Sequence, residues 1–69
     1  MERLPVTSST VVSVGYDADS YTMEIEFTNG HIYQYFDVPQ NVYDELLAAE
    51  SLGKFFNIQV KGVYRYARL

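Results

Sequence analysis

Four of the five basic residues follow Glu50, in a segment that also carries tyrosines. Cations bind the phosphates of nucleic acids, and aromatic rings stack on bases or contact cations. Asn57 comes three residues after Lys54 and four before Lys61, a spacing that predicts one shared helix face. The segment is therefore a candidate nucleic-acid site, and the alternative is a merely solvated surface. Its candidate residues are Lys54, Asn57, Lys61, Tyr64, Arg65, Tyr66 and Arg68.

A second aromatic group lies near the middle of the chain, at Tyr33, Tyr35 and Phe36. On an open sheet face these rings would form a platform on which RNA bases stack. The alternative is that Tyr33 and Tyr35 cover the hydrophobic core, because a chain of 69 residues is short of apolar area. The sequence leaves both interpretations open.

Other chemistries find little support in the residue types. The chain has no cysteine and a single histidine, which excludes a thiolate zinc site, a cysteine nucleophile and a multi-histidine metal site. The Asp17-Ala-Asp-Ser run lacks the later ligands of a calcium loop and is interpreted as a turn. Glu24 and Glu26 are expected to face water from the outer side of a strand. We therefore predict no catalytic residue, no metal and no cofactor.

The element that would position these residues is a hairpin at Asn29-Gly30. Before it, Met23, Ile25 and Phe27 alternate with polar residues, which predicts a strand with one dry face. The β-branched run from Thr10 to Tyr16 predicts a preceding strand. Together with the second arm of the hairpin, these segments predict a three-stranded antiparallel meander.

The register of the hairpin has two solutions. A two-residue type I′ turn would pair Thr28 with His31 and place Tyr33 and Tyr35 on the wet face. A three-residue loop with Gly30 in the left-handed region would shift the register by one and place both tyrosines on the dry face. The sequence does not decide between them.

Two short helices are predicted after Val38-Pro39. The first covers 40–50 and turns Val42, Tyr43, Leu46 and Leu47 inward. Ser51 is the predicted cap of the second, whose apolar stripe is Leu52, Phe56 and Val60 and which stops near Gly62.

The predicted fold class is thus α+β, a single domain over residues 1–69. A three-stranded meander is packed on one face by two short helices, with an irregular lead-in at residues 1–9 and an extended C-terminal tail. No apolar run is long enough to span a membrane and the N-terminus does not resemble a signal peptide, so a cytoplasmic protein is expected.

Several short motifs, in order, resemble the KTSC domain family over residues 8–69. They are Gly15-Tyr16-Asp17, Phe27-x-x-Gly30-x-x-Tyr33-x-Tyr35-x-x-Val38-Pro39, Val42-Tyr43-x-x-Leu46-Leu47 and Ser51-x-Gly53-x-Phe55-Phe56-Asn57. Tyr33 and Tyr35 match the central Tyr-x-Tyr motif of that family. The resemblance implies a small bacterial domain, found alone or at the C-terminus of lysyl-tRNA synthetases, for which RNA binding has been proposed. It brings no catalytic residue and no cofactor.

Two function classes follow. The first is a non-catalytic module that binds RNA or tRNA through the basic aromatic C-terminal segment. The second is an accessory domain that associates with another protein or with itself through exposed aromatic rings and an open sheet edge.

Overall fold

Five antiparallel strands form one sheet in which neighbours in space are also neighbours in chain order. The structure, a computed structural model, describes residues 1–69. The predicted α+β class is confirmed. The strands are β1 (Leu4–Pro5), β2 (Val11–Asp17), β3 (Thr22–Phe27), β4 (Ile32–Tyr35) and β5 (Tyr66–Arg68), and the helices between β4 and β5 are α1 (Gln40–Ala48) and α2 (Leu52–Gln59).

The predicted number of three strands is wrong, because each end of the chain adds a strand. β1 lies within the predicted irregular lead-in, residues 1–9, and pairs with β2 through Leu4 opposite Val14. β5 lies within the predicted extended tail and pairs with β4 through Tyr66 opposite Tyr35. Strands of two and three residues are too short to show an alternating pattern in the sequence.

The hairpin between β3 and β4 adopts the three-residue loop. The amide of Phe27 donates to the carbonyl of His31 at 2.9 Å, and the amide of Gly30 donates to the carbonyl of Phe27 at 2.9 Å. Gly30 has φ +89°, the left-handed geometry that this loop requires. Ile25 consequently pairs with Tyr33, and Met23 pairs with Tyr35. Both tyrosines of the Tyr-x-Tyr motif therefore lie on the dry face.

The two helices cover that dry face, as predicted. Ile25 at the centre of the sheet is fully buried together with Leu46 of α1, and Phe56 of α2 is nearly so. The ring of Phe27 contacts that of Phe56, with centroids 5.3 Å apart. Ser51 caps α2 as predicted, since its hydroxyl accepts the amide proton of Lys54, N to O 3.3 Å. Leu47, predicted to point inward, is instead 42% exposed.

Glu24 lies on the opposite face of the sheet, but it does not face water as expected. Glu24 is only 5% exposed. The N-terminal segment lies over it, and the guanidinium of Arg3 binds one carboxylate oxygen of Glu24 while Gln34 donates to the other at 2.9 Å. Arg3 also donates to the hydroxyl of Ser13 at 3.0 Å, which in turn donates to Glu26 at 3.0 Å. The buried polar groups of this face are thus paired.

Gly15 allows the N-terminal segment to approach the sheet so closely. A Cβ at this position would lie 2.4 Å from the carbonyl oxygen of Glu2, a distance that no real contact reaches. A glycine inside a strand is typical of a bulge or of a close approach of another segment, and the close approach is what the structure has. The bulge of β2 lies elsewhere, between Val11 and Ser13.

Candidate functional site

A groove of about 520 Å³ lies between α2 and the helix side of strands β3, β4 and β5. No aspartate or glutamate lines it, and Lys61 is its single charged residue. The net charge of −4 therefore belongs to other surfaces. The groove is lined by Thr10, Phe27, Asn29, Tyr33, Tyr35, Gly53, Phe56, Asn57, Lys61, Gly62 and Tyr66.

Aromatic rings form one wall of this groove. Pairing of β4 with β5 puts Tyr66 directly opposite Tyr35, so the side chains of both project from the same side of the sheet. The ring centroid of Tyr66 lies 5.7 Å from that of Tyr33 and 5.9 Å from that of Tyr35, with interplanar angles of 41° and 38°. Phe56 closes the inner end, 5.5 Å from Tyr35. Tyr66 remains 61% exposed and presents the accessible ring.

The polar residues of the groove have few partners inside the protein. The side chains of Asn57 and Lys61 make no hydrogen bond and no ion pair. The side-chain oxygen of Asn29 accepts the amide proton of His31 at 3.0 Å, which leaves its NH₂ group free. These groups are therefore available to a ligand.

Tyr35 is the most deeply buried residue of the aromatic wall, at 4% exposure. Burial, reinforced by the neighbouring Tyr33 and Tyr66, raises the pKa of Tyr35 to about 12. A phenol with this pKa stays protonated at neutral pH and can donate a hydrogen bond. Its hydroxyl is therefore a permanent donor on the floor of the groove.

Five of the nine predicted site residues come together in this groove: Tyr33, Tyr35, Asn57, Lys61 and Tyr66. Register places Arg68 opposite Tyr33, so this exposed cation projects from the same side of β5 as Tyr66. Lys61 reaches the groove from the turn after α2, since that helix ends at Gln59. The predicted sharing of one helix face by Lys54, Asn57 and Lys61 is therefore wrong.

The other predicted residues lie elsewhere. Arg65 belongs to the opposite side of the sheet, where its guanidinium pairs with Asp37 at 2.8 Å and lies over the ring of Phe36, 5.5 Å from the centroid. Lys54 is exposed on α2 outside the groove, and Tyr64 packs against the core. The cations of the C-terminal segment do not form one cluster.

Sequence reasoning missed six groove residues. Three lie far from the C-terminal segment, Thr10, Phe27 and Asn29, and three lie within it, Gly53, Phe56 and Gly62. The sequence indicates only a turn at Asn29 and only core positions for Phe27 and Phe56. Thr10 reaches the groove because its carbonyl accepts the amide proton of Thr28 at 3.0 Å, a contact that no local pattern encodes.

No group of three or more His, Cys, Asp or Glu side chains is arranged to hold a metal ion. Neither helix is long and apolar enough to cross a bilayer.

Comparison with known proteins places this architecture among relatives. The sequence model of the KTSC domain family matches residues 7–64 of this chain. A solved KTSC domain protein from Yersinia pestis superposes with a TM-score of 0.94 at 38% identity, covering 99% of this chain and 96% of that one. An uncharacterised protein of Stutzerimonas stutzeri is 43% identical over 70 residues, which is 100% of this chain and 99% of that protein.

Two further relatives differ from each other in length. A protein of Tsukamurella paurometabola is 45% identical over 65 residues, covering 94% of this chain and 97% of that protein. A lysine–tRNA ligase of Nostoc punctiforme is 36% identical over 61 residues, which is 88% of this chain and only 11% of the ligase. The same type of domain thus occurs both alone and as a small part of a much larger protein.

Proposed function

This chain belongs to the KTSC domain family, and from that premise we propose that it is a small non-catalytic binding module whose aromatic groove binds RNA. The observation that carries the proposal is the composition of the groove: tyrosine rings and one lysine, with no carboxylate. Aromatic stacking is worth about 1–3 kcal/mol per base and tolerates any base. A lysine without an internal partner is available to a phosphate.

Charge distribution weakens the main objection to RNA as the ligand, because no carboxylate lines the groove. The chain carries a net charge of −4, and phosphate-binding domains are usually basic. The buried carboxylate of Glu24 is neutralised by Arg3 on the other face of the sheet. Asp44 and Glu45 are exposed on α1, which does not line the groove. Lys61 lines the groove and none of these acids does.

The relatives give independent support for an RNA ligand. A domain of this family forms part of lysine–tRNA ligases, whose name states that they act on tRNA. We carry that association to this chain as a proposal, with the cytoplasm as the proposed place of action.

The test is binding of bulk tRNA, measured by fluorescence polarisation at about 50 and about 200 mM salt. We expect binding that weakens with salt, because phosphate contacts release counterions. Lys61→Ala should reduce the affinity and lower the salt slope by about 1. Arg65→Ala is the matched control, since it removes the same charge from the opposite face of the sheet.

A second matched pair tests the rings. Tyr66→Ala should weaken binding about fivefold or more, since one stacking contact is lost. Tyr21→Ala removes an equally exposed tyrosine from the turn between β2 and β3 and should have no effect. Equal losses in Lys61→Ala and Arg65→Ala, or absence of binding at low salt, would contradict the proposal.

A second candidate function is association with another protein or with a second copy of this chain. The observation that favours it is the outer edge of β5, an exposed three-residue edge strand whose backbone is paired only with β4. Sedimentation over a wide concentration range tests self-association, and a purely monomeric protein at high concentration would contradict that form of it.

A further inference from the structure

The hydroxyl of Tyr35 forms no hydrogen bond within the protein and keeps some contact with solvent, although the residue as a whole is largely buried. Tyr35 is 4% exposed, yet its hydroxyl forms no hydrogen bond. Buried polar atoms in folded proteins are nearly always paired. Tyr16 shows the ordinary arrangement, since its hydroxyl donates to the carbonyl of Val38 at 2.5 Å. The Tyr35 hydroxyl is therefore available to bind water or a ligand.

The groove is where a ligand would meet that hydroxyl. Every unpartnered side-chain oxygen and nitrogen in the protein retains some contact with solvent. Tyr35 lines the groove, so its hydroxyl is reached through this opening. A hydroxyl that stays protonated at neutral pH can donate to an acceptor atom of a ligand.

Size limits what the groove accepts. Its volume of about 520 Å³ lies in the range of small-molecule sites, roughly 300–1,000 Å³. An extended strand of several nucleotides would need a longer track of rings and cations than one exposed tyrosine and one lysine provide. A single nucleotide offers a flat ring, acceptor atoms on its edge and one phosphate group.

We infer that the groove accepts one unstacked nucleotide at a time. Its base lies against Tyr66, a base acceptor receives the hydrogen bond of the Tyr35 hydroxyl, and its phosphate lies at Lys61. Asn57, whose amide has no internal partner, is placed to bind the base edge as well. This inference rests on the proposed function and adds to it the part of the RNA that is recognised.

The experiment is an NMR shift titration of the intact protein with adenosine and uridine 5′-monophosphates, together with their competition against labelled tRNA. We expect saturable shifts in β4, β5 and α2, one-to-one stoichiometry and displacement of the tRNA. Tyr35→Phe removes only the unpartnered hydroxyl and should weaken mononucleotide binding roughly three- to tenfold. Tyr16→Phe is the matched control and should leave that affinity unchanged.

The two variants also separate binding from folding. Thermal unfolding should be unaltered in Tyr35→Phe, whose hydroxyl has no partner to lose, and lowered in Tyr16→Phe. Binding of tRNA with no competition by mononucleotides, and no effect of Tyr35→Phe, would overturn this inference and leave the proposed function standing. Binding of mononucleotides without binding of tRNA would overturn the proposed function alone. Absence of both would overturn both.

Discussion

Polar side chains are hydrogen-bonded to one another on the outer face of the sheet, whereas several on the inner face have no partner in the protein. On the outer face, Arg3, Gln34 and Ser13 pair with the carboxylates of Glu24 and Glu26. In the groove on the inner face, the hydroxyl of Tyr35 and the side chains of Asn57 and Lys61 have no partner. Paired buried groups hold a fold together, whereas unpaired ones are available to a ligand. The paired groups of the outer face contribute to the fold, and the inner face is the one to which the proposed function assigns binding.

The largest expected effect comes from breaking the paired face. Arg3→Ala leaves the carboxylate of Glu24 buried without its counter-ion, and loss of one partner of a buried pair costs about 3–5 kcal/mol. A domain of this size has about 3–10 kcal/mol of stability in total. We therefore expect a large fall in the midpoint of urea unfolding, with RNA affinity unchanged in the folded fraction.

Arg65→Ala is the matched control for this change. Arg65 also pairs with a carboxylate, but its side chain and that of Asp37 are both 75% exposed. Exposed pairs contribute about 0–1 kcal/mol, so the midpoint should barely move. The combined replacement of Arg3 by Met and Glu24 by Leu should recover much of the loss, because no buried charge remains. A loss in Arg3→Ala no larger than in Arg65→Ala would show that the outer network is not structural.

A smaller effect is expected from Gly15→Ala, which lifts the N-terminal segment from the outer face. The added Cβ meets the carbonyl oxygen of Glu2, and overpacking of this kind costs about 1–3 kcal/mol. Hydrogen exchange should show loss of protection at the amide of Val6, which donates to the carbonyl of Val12 in the native protein.

Gly30→Ala is the control for Gly15→Ala. At Gly30 a Cβ meets nothing, but the φ of +89° disfavours any other residue by about 1–2 kcal/mol. Its effect should be confined to the hairpin, with protection at Val6 unchanged. Retained protection at Val6 in Gly15→Ala would contradict the close approach of the N-terminal segment.

The pH dependence of stability gives a further test of whether the paired outer face is structural. Burial by itself would raise the pKa of Glu24, but hydrogen bonds from Gln34 and Arg3, with the charge of Arg3, lower it below the ordinary 4.5. A lowered carboxyl pKa gives stability that is present above the unfolded value and is lost as pH falls through the folded value. Wild type should therefore lose stability below about pH 4.5 more steeply than Glu24→Gln.

This loss should remain smaller than that of Arg3→Ala, because protonation removes the charge while Gln34 stays in place. Urea unfolding at a series of acidic pH values measures it, and the difference between the two proteins removes the contribution of every other carboxyl. Parallel curves for wild type and Glu24→Gln would contradict the pKa shift.

The smallest effects on stability are expected in the groove. Lys61→Ala should change the free energy of unfolding by less than about 0.5 kcal/mol, because the side chain has no partner to lose. Asn57→Ala should be neutral or stabilise α2 by about 0.5 kcal/mol, since alanine favours the helix. A loss comparable to Arg3→Ala in either variant would mean that the groove residues are structural.

Much of the local structure was readable from the residues. Alternation predicted that Met23 and Ile25 face the core, and helical spacing predicted the same for Leu46 and Phe56. The cap at Ser51 was also predicted. These features depend on residues within a few positions of one another, so short patterns encode them.

The features that the sequence did not predict correctly share a different cause, which is contact between distant parts of the chain. β1 is held by pairing between Leu4 and Val14, and Glu24 is buried by Arg3, which is 21 positions away in the chain. The hairpin register also stayed open, since both loop lengths suit Asn29-Gly30 and a shift of one residue moves Tyr33 to the other face. In the candidate site, Lys61 and Arg65 lie only four positions apart, yet the strand that starts at Tyr66 places them on opposite faces.

By itself the sequence determined the α+β class, the dry side of the first arm of the hairpin, the cap of α2 at Ser51 and the resemblance to the KTSC family, which the comparisons confirm. Only the tertiary structure decided which tyrosines and cations share a groove, and which polar groups remain unpaired. Turns, caps and alternation arise from contacts between near neighbours. A groove without carboxylates and a hydroxyl without a partner arise from packing between segments that are distant in the chain.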